Sequence, residues 1–332
     1  MCCGKHFCEE CHGRGLDTHV DLLGAARCNF CNVLDNCHEL ELAEKKEAYS
    51  GKAWAQYSYA QDTPCPFHWL EKAAKQGHPD ACLELADEFL HGERGVSLDL
   101  EKAKSYAEKA KSLYSGFGLR ANEILLDIAE EYLDEGAEED ATVILSGFAN
   151  ETDTNALDGD LCDKAAALLY QLDQYHLAGT LLAKSFCFGM VRSALCASVY
   201  YLHSEKYTLS KLWLAVACQT KTDYDCVVPL DDGSSKEISW SDSKDCLDDI
   251  RSKLRKNRDS CGGCGAALEG GMRKYCQGCK AYCYCSRDCQ ELHWNRKENS
   301  HRDECKEAKE HWKKVMEAIR SGKVILSSKE NQ

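Results

Sequence analysis

The sequence predicts a mostly α-helical protein, a solenoid of α-hairpin repeats flanked by two small cysteine-rich modules. Three observations carry this. Cysteines are bunched: of 23 in the chain, seven lie in residues 1–37 and eight in 261–305. Between the bunches, from about 41 to 222, Ala, Leu, Lys and Glu recur at helical spacing with almost no β-branched runs. Within that middle a period of 37 residues is visible, Lys72-Ala73 returning as Lys109-Ala110.

The middle, 41–222, is read as the repeat domain. Its clearest unit spans 78–116. Ala81, Leu85 and Phe89 fall on one helical face, Gly92 and Gly95 break the chain, and Asp99 stands ahead of a second helix carrying Ala103, Tyr106, Ala107 and Ala110. Small alanines let two helices approach closely, and glycine permits the turn between them. This unit resembles the Sel-one-like repeat, kin of the tetratricopeptide repeat. That resemblance implies stacked helix pairs, each covering its neighbour's apolar face. Weaker copies follow at 125–148, 165–189 and 194–220, with shorter turns and no double glycine. Residues 223–258 read as a polar, turn-rich linker with a lead-in helix. Residues 307–332 read as a final helix and tail.

The C-terminal cysteines, within 259–306, form pairs: Cys261-x2-Cys264, Cys276-x2-Cys279, Cys285-x3-Cys289, and His301-x3-Cys305. Eight thiol and imidazole ligands suit two tetrahedral zinc ions. About 45 residues bury too little apolar surface to fold alone, so metal would supply the folding free energy. The segment resembles a MYND zinc finger over its full length, down to Tyr284-Cys285-Ser286, Cys289-Gln290 and Trp294. The resemblance implies interleaved sites, Cys261, Cys264, Cys285 and Cys289 for one zinc, and Cys276, Cys279, His301 and Cys305 for the other. It also implies protein docking, commonly of proline-containing peptides, with Gln290 and Trp294 at the peptide-touching positions. The eleven residues between Cys289 and His301 exceed the family's usual gap. That leaves His293 as a rival to His301, which is the preferred ligand. Cys283 falls between pairs and is read as free.

Residues 1–40 hold Cys8-x2-Cys11 and Cys28-x2-Cys31. One reading is a single ribbon-like zinc site made by these four. In the other, the stretch resembles the back half of an all-cysteine RING finger, with Cys2, Cys3, Cys28 and Cys31 as one site and Cys8 and Cys11 needing a partner pair upstream. One zinc is expected here. His6, His12 and His38 fit no ligand spacing.

Composition narrows the function. No run of 18 apolar residues occurs, and the start MCCGKHFCEE lacks the apolar core of a signal peptide. A reducing compartment, cytoplasmic or nuclear, is therefore expected, where paired cysteines bind metal rather than form disulfides. The net charge is −14, although residues 251–332 carry 19 Lys and Arg against 11 Asp and Glu. An acidic body argues against nucleic acid as a partner. No catalytic constellation, P-loop or dinucleotide fingerprint is present. The Asn-His-Ser-Cys segment and Gly-rich cofactor loop of SET-type methyltransferases are missing too. The expectation is a non-enzymatic zinc-binding scaffold for protein partners. A RING-type ubiquitin ligase is the alternative.

Overall fold

The computed structural model describes residues 44–63, 66–92, 96–220, 226–229, 235–238, 243–268 and 273–325, with backbone alone for 226–229, 235–238 and 243–246. The expected N-terminal module and its candidate ligands Cys2, Cys3, Cys8, Cys11, Cys28 and Cys31 lie outside the described residues. The chain forms two compact units, one through Ile124 and one from Leu125 onward.

The first unit contains α1 (Ala53–Asp62), α2 (Pro66–Lys75), α3 (Pro79–His91), α4 (Leu100–Leu113) and the start of α5 (Gly118–Asp134). Each of α1 to α4 packs on its neighbour in sequence. Pro79 opens α3, where its missing N–H is no loss, and Gly92 closes it at φ +67°. Asp99 caps α4 by accepting from the Lys102 N–H at 3.0 Å. Ala81, Leu85, Ala86 and Phe89 of α3, and Ala103, Ala107 and Ala110 of α4, are all buried. Phe89 stacks on Tyr106 at 5.8 Å between ring centroids. The residues that mark the repeat in sequence are those that form this seam.

In the second unit α6 (Glu138–Asn150), α7 (Gly159–Gln171), α8 (Tyr175–Cys187), α9 (Ser193–His203) and α10 (Tyr207–Thr220) follow one another, each packed on the next. The turns from α7 to α8 and from α9 to α10 share one closure. Asp173 (φ +56°) ends α7 and Glu205 (φ +58°) ends α9 in the left-handed region. The following N–H then reaches five residues back, Gln174 to the Leu169 carbonyl at 2.9 Å and Lys206 to the Tyr201 carbonyl at 2.8 Å. Ala137 closes on Tyr132 in the same way after α5. These are the turns that lack the double glycine, and a backbone hydrogen bond does its work.

The segment read as a linker contains a hairpin. Strand β1 (Cys226–Pro229) pairs antiparallel with β2 (Ser235–Ile238) and lies beside α9. Val227 and Val228 favour a strand, and the sequence between the strands, 230–234, includes the turn-favouring run Asp-Asp-Gly-Ser. Helix α11 (Ser243–Asn257) touches α9 and α10. The cysteine-rich segment adds β3 (Lys274–Tyr275), β4 (Cys283–Tyr284), α12 (Arg287–Trp294) and α13 (His301–Arg320).

Helix α13 does not stop at the end of the cysteine segment. It begins at His301 and runs on across α8 and α10. Glu304, Ala308, His311, Val315 and Ala318 recur every three or four residues and are buried on one face. His311 Nδ1 accepts from the indole N–H of Trp213 on α10 at 3.2 Å. Burial, reinforced by the charges of Lys314 and His176 and opposed by Glu307, pushes His311 down to about 4 from its ordinary 6.5. Between these values the unfolded chain takes the proton and the folded chain resists it. The contribution to stability is therefore complete above about 6.5 and lost as pH falls toward 4. The indole N–H resonance of Trp213, followed against pH, should shift with a midpoint well below 6.5. A midpoint at or above that value would contradict the neutral, accepting His311.

Candidate metal centre

Two cysteine knuckles open the site. In Cys261–Gly265 the Gly265 N–H donates to the Cys261 carbonyl at 2.7 Å, and in Cys276–Lys280 the Lys280 N–H donates to the Cys276 carbonyl at 3.0 Å. The residue after each second cysteine is left-handed, Gly265 at φ +75° and Lys280 at φ +55°. Each tight turn aims both sulfurs of its pair the same way.

Two helix starts supply the other pairs. Ser286 caps α12 by accepting from the Cys289 N–H at 3.1 Å, and Ser300 caps α13 by accepting from the Asp303 N–H at 3.1 Å. His301 and Cys305, four apart, share a face at the start of α13, whereas Cys285 stands just ahead of the Ser286 cap and Cys289 in the first turn of α12. The pairs then interleave. Cys261, Cys264, Cys285 and Cys289 converge, as do Cys276, Cys279, His301 and Cys305, with all ligand atoms of a set within 4.8 Å of one another.

The spacings suit tetrahedral zinc. Zn–S bonds of about 2.3 Å make a tetrahedron with sulfur–sulfur edges of about 3.8 Å. Cys264 and Cys285 sulfurs are 3.8 Å apart, and those of Cys285 and Cys289 3.4 Å. His301 Nε2 lies 3.5 Å from the Cys279 sulfur and 3.2 Å from that of Cys305. Four protein ligands fill each site, so no position is left for water or substrate.

Without metal the sulfurs compete for protons. Burial works against the Cys261 thiolate, yet the N–H groups of Cys264, Cys285 and Gly263 hold it down to about 6. Hydrogen bonding with Cys289, Cys261 and Cys264 pushes Cys285 up to about 12. In the second set the Cys305 thiol leads in drawing Cys279 down to about 3, helped by His301 and the Ala281 N–H. Cys305 is driven far up in return by Cys279 beside it. Burial opposes protonation of His301, but Cys279 and Glu304 raise it to about 10. A dication in each set replaces this shared proton population, so metal uptake releases protons.

His293 belongs to neither set. Its Nδ1 lies 3.1 Å from the Tyr284 hydroxyl, and its ring stacks on that of His301 at 5.3 Å. Burial first, then the neighbouring His301, pushes it down to about 4. His301→Ala is expected to remove one zinc from the chain, whereas His293→Ala keeps the full count, both read by native mass spectrometry. The reverse result would reassign the ligand. Cys283 is fully buried, outside both sets, and burial pushes its thiol up.

Gln290 and Trp294 sit four apart on α12, both half-buried. Trp294 meets the His301 ring edge-on at 5.8 Å. Its ring therefore borders the second metal set while sharing a helix face with Gln290.

Sequence reasoning missed the groups that hold the second set against the helical unit. Glu304 is buried, accepts from the Thr208 N–H of α10, and faces the Tyr282 hydroxyl at 2.9 Å. His301 Nδ1 lies 3.8 Å from the Glu304 carboxylate, beyond hydrogen-bond length, and is buried without a hydrogen-bond partner. Lys211 Nζ donates to the carbonyls of Cys279 and Lys280, at 3.0 Å each. Glu304, three residues after a ligand on a helix, was findable by spacing. Nothing in sequence marked Thr208 or Lys211.

Compared with curated proteins, the chain has no match. Residues 260–305 match the family model of the MYND finger. With the ligand pairs interleaved in two four-membered sets, this segment of the chain is a MYND finger, a zinc-binding protein-interaction module.

Proposed function

We propose that the chain is a non-enzymatic adaptor that docks protein partners through its finger and helical hairpins. The observation that carries this is the closed metal centre. Both sets are filled by protein side chains, so the metal builds shape and has no vacancy for chemistry. The hairpins, read as Sel-one-like, supply a second surface for partners. Proline-containing peptides are the proposed ligands of the finger, with Gln290 and Trp294 as the contact pair on α12. Such residues suit the role, since an indole offers a large apolar face and an amide a hydrogen bond beside it.

The test is titration of labelled proline-containing peptides into the zinc-loaded chain. Binding should be lost in Gln290→Ala and in Trp294→Ala while both finger metals remain. Unchanged binding in both variants would remove the peptide assignment. Auto-ubiquitination with a panel of conjugating enzymes decides the competing reading. Ubiquitin chains that vanish in a Cys28→Ser, Cys31→Ser variant would make the protein a ligase.

A further inference from the structure

The first turn of α10 reaches the second metal set from outside the finger. Thr208 donates its N–H to Glu304. Its hydroxyl is buried without a hydrogen-bond partner and faces the Cys279 sulfur. One turn on, Lys211 grips the carbonyls of Cys279 and Lys280. The Tyr282 hydroxyl faces Glu304 and, at 3.2 Å, the Glu205 carbonyl in the turn ahead of α10. Among the described residues, the first set has no such attendants from α6 to α10.

We propose that the amino-terminal turn of α10, with Glu304 as relay, is the outer shell of the second zinc site, so that the helical unit and the finger assemble around that metal together. The proposal rests on zinc occupying this site. Three thiolates, one imidazole and a dication sum to one negative charge, and the unpaired N–H groups of a helix start favour an anion. Glu304 places a carboxylate oxygen 3.8 Å from the far nitrogen of His301, where closing to a hydrogen bond on a zinc-bound imidazole would fix the ring's orientation and raise its basicity. Its second oxygen is tied to α10, so the carboxylate is itself held. Thr208 and Glu304 are positioning residues. They touch ligands rather than metal.

The experiment uses the full chain loaded with cadmium-113 and followed by NMR during titration with a chelator. Coupling to the imidazole protons of His301 identifies the second site, and the remaining all-sulfur resonance from the finger reports the first. Thr208→Val keeps the side-chain shape and the N–H but removes the hydroxyl. Glu304→Gln keeps a hydrogen-bonding group but removes the charge. Each is expected to weaken the second site by about 10- to 100-fold, the scale of outer-shell changes at metal sites, with the first site unmoved. Thr208→Ser, which restores the hydroxyl, should recover the affinity. Wild-type affinity in both Thr208→Val and Glu304→Gln, or equal weakening of both sites, would overturn the inference. Loss in Glu304→Gln alone would overturn the share assigned to Thr208. Failure of the unaltered chain to show both finger resonances would overturn the metal reading itself, a separate result.

Discussion

Gly263→Ala is expected to abolish the first zinc site, while Gly278→Ala leaves the second intact. The two glycines hold the same place in the two knuckles, directly before the second cysteine. Their surroundings differ. A Cβ on Gly263 would lie 2.4 Å from the Cys289 carbonyl oxygen and 2.7 Å from the Cys289 Cβ. Neither atom is the end of a flexible side chain, so the start of α12 must move, and Cys289 is a ligand. A shift of even a few tenths of an ångström strains a bond of about 2.3 Å. A Cβ on Gly278 would meet only the Cys276 and Cys305 sulfurs, at 3.8 and 3.9 Å, which is ordinary contact. Structural zinc contributes about 10–16 kcal/mol of apparent binding free energy in small finger peptides. Losing one ion should therefore unfold the half of the finger built on it. Native mass spectrometry should show one metal fewer in Gly263→Ala and the full count in Gly278→Ala. Equal counts in the two variants would remove this account of the knuckles.

Trp213→Ala is the second change with a large expected effect. Trp213 is 1% exposed, the largest fully buried side chain among the described residues. Its ring meets Phe186 of α8 edge-on at 5.3 Å, and its N–H donates to His311 of α13. Truncating a buried aromatic costs about 3–5 kcal/mol. Leaving the His311 nitrogen buried and unpaired adds about 1–3 kcal/mol. Together these approach the whole stability of a typical domain, about 5–15 kcal/mol. Urea unfolding should show a sharply lowered midpoint. Trp213→Phe keeps most of the ring and loses only the hydrogen bond, so its loss should fall near the smaller figure. An unchanged midpoint in Trp213→Ala would mean that α13 does not depend on this contact.

Much of the finger was legible before any coordinates. Cysteine and histidine at two- and three-residue gaps are a local code, because the knuckle turn and the first turn of a helix are local structures. The preference for His301 over His293 rested on the resemblance to the finger family, against an overlong gap, and the geometry agrees, with His293 engaged by Tyr284. The strong repeat was equally plain, since Ala81, Leu85 and Phe89 declare a helical face by period alone. The weaker hairpins were read with their shorter turns, but not how those turns close, because Asp173 and Glu205 adopt a conformation that glycine would have advertised. The β1–β2 hairpin was hidden for a related reason, four-residue strands set in a polar stretch.

What the sequence by itself determined is the helical middle, the eight finger ligands and the charge that separates the two ends of the chain. What only the tertiary structure decided is where the finger stands. The boundary drawn near residue 306 falls inside α13, whose first turn carries ligands and whose later turns pack on α8 and α10. Thr208 and Glu304 are 96 residues apart, too far for any readable pattern. A buried carboxylate needs donors, the first turn of a helix has N–H groups without partners, and a zinc-bound imidazole needs an acceptor on its far side. Each demand is local, but the place where all three are met exists only once the chain has folded back on itself.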